Sequence, residues 1–209
     1  NDAWARASRG LETAKKLGIL LDISLYKLTL VRMELGVHIT SILGSKNSLP
    51  PQTYGSTNLS RRFTECVDDL REAGSVDFTP VGLLLRAAFR RSCGNWDGTA
   101  RDLDEVEEIA TPGPMRLFLC DMALERARLA FARSEAFAPL NGLIEDGTPK
   151  PESPTEGEHK RLHDEAAKQL AIAVNYIETC GYHRRDKELA ELQSVMRGEC
   201  TFASLPSRV

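Results

Sequence analysis

The stretch Gly94-Asn95-Trp96-Asp97-Gly98-Thr99-Ala100-Arg101-Asp102-Leu103-Asp104-Glu105-Val106 decides how this chain folds. Starting from Trp96, the residues Thr99, Leu103 and Val106 recur at offsets of 3, 7 and 10, which puts small and apolar side chains on one face of an α-helix. The same spacing begins at Trp4, with Ala7, Leu11 and Ala14. Two further segments keep it without the tryptophan: Leu59, Phe63, Cys66 and Ala166, Leu170, Ala173. The last stripe positions, 14, 66, 106 and 173, lie 52, 40 and 67 residues apart. A 40-residue unit with insertions of 12 and 27 residues accounts for them, and such a period signals a helical repeat.

The insertions fall where the composition changes. Residues 44–56 and 138–158 are rich in Pro, Gly and Ser, and each precedes one of the striped helices. A second helix family shows the same 40-residue offset: Leu83, Leu84, Ala87 and Gly94 line up with Ala123, Leu124, Ala127 and Ser134, and Arg86 with Arg126. The unit is therefore a pair of helices. Gly74, Gly113 and Gly181 are expected to end second helices in the left-handed conformation, with Pro80, Pro112 and Pro114 in the turns that follow. The reading gives eight helices at 3–17, 19–43, 57–73, 79–93, 97–110, 115–137, 159–180 and 184–198. No alternating run of β-branched residues bounded by hairpin turns suggests a strand.

Composition narrows the class of protein. The 209 residues are 42% hydrophobic and 27% charged with a net charge of −3, an ordinary globular balance that demands neither nucleic acid nor membrane as partner. No apolar run reaches the ~18 residues of a membrane span. Five cysteines without a Cys-x-x-Cys pair point to reduced thiols and a cytoplasmic location. The sequence opens on Asn1, with Trp4 already in a helical pattern, so the chain is expected to be a piece of a longer protein.

The stretch from Gly94 to Val106 resembles the turn and second helix of a tetratricopeptide repeat (TPR), in which a Gly-Asn-aromatic turn precedes a small, a large and a small packing residue. Ala87 and Ala127 fall where that family has a small residue in the first helix, while Arg86 and Arg90 stand where it has apolar ones. The segment from Phe78 onward, closing on Gly181-Tyr182-His183-Arg184-Arg185, is also similar to the TPR-like arrays that follow the nucleotide-binding domains of bacterial STAND-type signalling ATPases and activators. The resemblance implies an all-α fold, a right-handed α-solenoid of antiparallel helix pairs forming one domain over residues 1–209. Residues 184–198 would be its capping helix, with Leu189, Leu192 and Val195 inward and Arg184, Arg185, Asp186 and Glu191 in solvent. It further implies a protein-protein interaction module, not an enzyme, that holds a peptide or partner domain in a concave groove within a signalling or transcription-regulatory protein.

Arg86, Arg90, Arg126, Arg128 and Glu125 are the expected groove residues, with Arg91 beside them, and the arginines suit an acidic partner. The N-terminal edge, which lacks a cap, is expected either to face structure upstream or to be covered by a second copy of the chain. Other chemistry is weakly signalled. The acidic run Asp97, Asp102, Asp104, Glu105, Glu107 and Glu108 reads as a solvated outer face. His159 and His163 are spaced for a shared metal but bring no third ligand. No phosphate-binding or nucleophile-elbow motif occurs, so no cofactor is expected. The competing reading is an all-α enzyme or small-molecule receptor with an interior pocket.

Overall fold

The computed structural model describes residues 2–44, 56–137 and 153–205. Among them every regular element is helical: α1 (Asp2–Leu17), α2 (Leu20–Gly44), α3 (Ser56–Glu72), α4 (Thr79–Ser92), α5 (Trp96–Ala110), α6 (Arg116–Ser134), α7 (Glu156–Cys180) and α8 (Asp186–Met196), with single 3-10 turns at His183–Arg185 and Phe202–Ser204. The expected insertion at 44–56 lies outside the described residues except at its two ends. Of 138–158, residues 153–158 are described: 153–155 lead into α7, with Thr155 as its cap, and Glu156 opens it.

Local chemistry sets the helix ends. Thr155 caps α7 in a reciprocal box: its hydroxyl accepts from the Glu158 amide at 3.3 Å, and its own amide donates to the Glu158 carboxylate at 3.0 Å. The Asn95 side chain accepts from the Gly98 amide at 2.9 Å and opens α5. Gly74 and Gly181 take the left-handed conformation at φ 64° and 65° after α3 and α7. Gly113 does not, which corrects the expectation for the end of α5. That turn closes instead through the Met115 amide donating to the Ala110 carbonyl.

The stripes are what the helices bury. Ala7, Ala14, Leu59, Phe63, Cys66, Thr99, Leu103, Val106, Ala166, Leu170 and Ala173 are all buried, and Leu11 is half-buried. The two indoles differ. Trp96 packs between two apolar clusters, whereas Trp4 is 38% exposed. The core runs in overlapping sections along the chain, from α2–α4 around Phe63 and Phe89, through α3–α6 around Leu83 and Leu103, to α6–α8 around Leu124 and Phe131. Each helix packs on the next, and α2, α4, α6 and α8 also meet in succession. That second series of contacts positions the site.

Candidate functional site

A cavity of about 270 Å³ opens where α2, α4, α6 and the start of α8 converge. Helical spacing builds its floor: Val81, Leu84, Leu85 and Ala88 are successive positions on one face of α4, and Phe118 and Leu124 come from α6. The same periodicity on α6 adds Asp121, Glu125 and Arg128. Arg32 enters from α2, and Arg184, Arg185 and Glu188 enter from the turn and first residues of α8. The result is an apolar floor beneath a charged wall.

A chain of ion pairs crossing three helices holds the wall, and it begins at Arg91 of α4, which is not among the lining residues. Arg91 donates to Glu125 at 2.6 Å, and Arg128 bridges Glu125 at 3.2 Å and Glu188 at 2.8 Å. Arg185 then joins Glu188 at 2.6 Å to Asp121 at 2.7 Å. Burial opposes charge on each member, so the pairs hold only because every carboxylate oxygen is matched. Burial pushes the Glu188 carboxyl up, yet Arg128 and Arg185 more than compensate and leave it below the usual range. Burial likewise works against the Arg185 charge, and its bonds to Asp121 reverse that effect.

The Arg184 guanidinium stands outside this chain. Arg184 is exposed, its guanidinium lies 4.6 Å over the Tyr182 ring, and it donates to the Tyr182 hydroxyl. Tyr182 is itself buried, and its hydroxyl donates to Asp121 at 3.2 Å.

The expected groove residues divide into two groups. Glu125 and Arg128 line the cavity. Arg86 and Arg90 instead meet on Asp102 of α5, each at 2.7 Å, with Arg86 also donating through Nε, and Arg90 donates to the Gly98 carbonyl at 3.2 Å. Burial lowers the Arg90 pKa despite Asp102. Arg126 reaches Asp104 at 2.7 Å and Glu107 at 2.8 Å. None of these three is among the lining residues.

The acidic run is therefore more than a wet face. Asp102 is 2% exposed, and Arg71 of α3 grips Glu105 at 2.6 Å, so four of the six carboxylates hold arginines of α3, α4 or α6. Likewise Arg185, expected in solvent, is tied to Asp121 and Glu188.

Outside the cavity, the His159 and His163 rings stack at 5.0 Å. No group of three or more His, Cys, Asp or Glu among the described residues is arranged to hold a metal ion. No described helix is long and apolar enough to cross a membrane. No protein-family model, curated protein or solved structure matches this chain.

Proposed function

We propose that this chain is a TPR-like interaction module that holds a segment of a protein partner in the cavity between its even-numbered helices. In this reading the helix pairs wind as a right-handed solenoid, α2, α4, α6 and α8 form the inner layer, and the module serves a cytoplasmic signalling or regulatory protein. The observation that carries it is the cavity itself: four helices spread along the sequence each contribute to one concavity with an apolar floor and a polar wall, the composition of a ligand-binding cleft. Successive contacts among α2, α4, α6 and α8 support the inner layer. Arg184, whose guanidinium meets a phenol and, among the described residues, no carboxylate, favours a partner of negative charge.

The test is a selection of random displayed peptides on the folded chain, followed by methyl NMR of the complex. Binding should shift the methyl signals of Val81, Leu84, Leu85 and Leu124, which lie in the cavity. Selected peptides that leave those methyls unmoved while shifting others would remove the reading.

A further inference from the structure

We infer that Arg184 is the residue that sets specificity in this cleft, taking one carboxylate of a peptide segment whose neighbouring apolar side chain lies on the floor of Leu84, Leu85, Phe118 and Leu124. The inference rests on the groove reading and adds to it the chemistry of the occupant.

Charge balance carries the argument. Among the cationic groups of the wall, Arg128 and Arg185 are each bound to two carboxylates. Arg184 has a phenol and an aromatic face as its neighbours and, among the described residues, no carboxylate. Its donors are thus largely uncommitted, in a fork that matches a carboxylate with two parallel hydrogen bonds. Because Tyr182 supports the guanidinium, and Asp121 in turn holds the Tyr182 hydroxyl, the fork is already oriented before a partner arrives. Less side-chain freedom is then lost on binding.

Size and sign narrow the class further. A cleft of about 270 Å³ admits an anchor side chain and its neighbours, not a folded domain. Arg91, Arg128 and Arg185 match the three carboxylates Asp121, Glu125 and Glu188, which leaves the charge of Arg184 for one negative group. A phosphate dianion would bring a second charge close to Asp121 and Glu188, whereas a carboxylate completes the balance.

The experiment uses labelled peptides with both ends capped, carrying two leucines followed by glutamate in a Gly-Ser background, and twins with glutamine or phosphoserine at that position. The glutamate peptide should bind about 10- to 100-fold more tightly than its glutamine twin in fluorescence anisotropy. Arg184→Gln should abolish that difference while leaving the affinity for the glutamine twin unchanged, and Arg184→Lys should restore part of it. Circular dichroism matching the parent protein would show that the variants fold. Equal binding of the glutamate and glutamine peptides, tighter binding of phosphoserine, or an equal loss of both peptides on Arg184→Gln would overturn the assignment and leave the groove standing. Failure of every peptide to bind the parent protein would overturn the groove reading as well.

Discussion

Three thiols are held by their surroundings in the neutral form. Burial pushes Cys66, Cys93 and Cys120 up to about 12, aided at Cys66 by Asp69 and at Cys120 by Asp121. The reactive species is the thiolate, so these positions are inert as long as the fold persists. Cys180 and Cys200 are only half-buried. An aromatic disulfide reagent at neutral pH should therefore modify Cys180 and Cys200 first, and Cys66, Cys93 and Cys120 only at the rate of unfolding; peptide mapping of the labelled protein reads the order. The linkage sign follows from the same shift. A pKa raised above its unfolded value of about 8.5 gives stability that is complete below that pH and declines as pH climbs toward 12. Urea midpoints should accordingly fall on the alkaline side.

At the scale of the element, α5 is a helix whose acidic residues fasten it to its neighbours with unequal strength. Asp102 and Arg86 are nearly sealed from water, so Asp102→Asn leaves two arginines without their shared counter-charge, and urea denaturation should show a loss of about 3–5 kcal/mol. Arg126, whose partners Asp104 and Glu107 are 65% and 50% exposed at the side chain, is worth far less: Arg126→Gln should cost at most about 1 kcal/mol. Similar costs for the two variants would contradict the ranking. The helices themselves were legible in the sequence because their signals are local. The stripe at Trp96, Thr99, Leu103 and Val106 and the glycines at 74 and 181 need no knowledge of the partner helix. The ion pairs were not legible, because which arginine meets Asp102 depends on how far each helix is rotated about its axis, and that is settled by packing. Arg86 and Arg126 lie 40 residues apart, at the offset read from the sequence, yet both turn to α5, leaving the cleft wall to Glu125, Arg128 and the residues near α8. A denser hint lay in Asp121, Glu125 and Arg128, which the helical period places on one face and which invite a search for arginines and glutamates at the same height on α8.

For the molecule as a whole, the core is a succession of overlapping clusters, and Trp96 belongs to two of them. Where clusters follow one another in this way, stability spreads by contact between adjacent sections. Trp96→Ala should cost about 3 kcal/mol or more and should loosen α5–α8 selectively, with amide exchange accelerating there while α2 and α3, packed around Phe63 and Phe89, keep their protection. Uniform acceleration from α2 to α8 would show one indivisible unit instead. Glu135, just past α6, accepts from the amides of Phe202 and Ala203 at 2.5 and 3.0 Å, and Phe202 stacks on Phe131 at 6.1 Å. This mooring joins residues 67 positions apart. During synthesis on the ribosome, α6 must therefore wait through the translation of that whole interval before Phe131 gains its last neighbour, so the nascent chain carries an unfinished, apolar surface until residues 202 and 203 emerge.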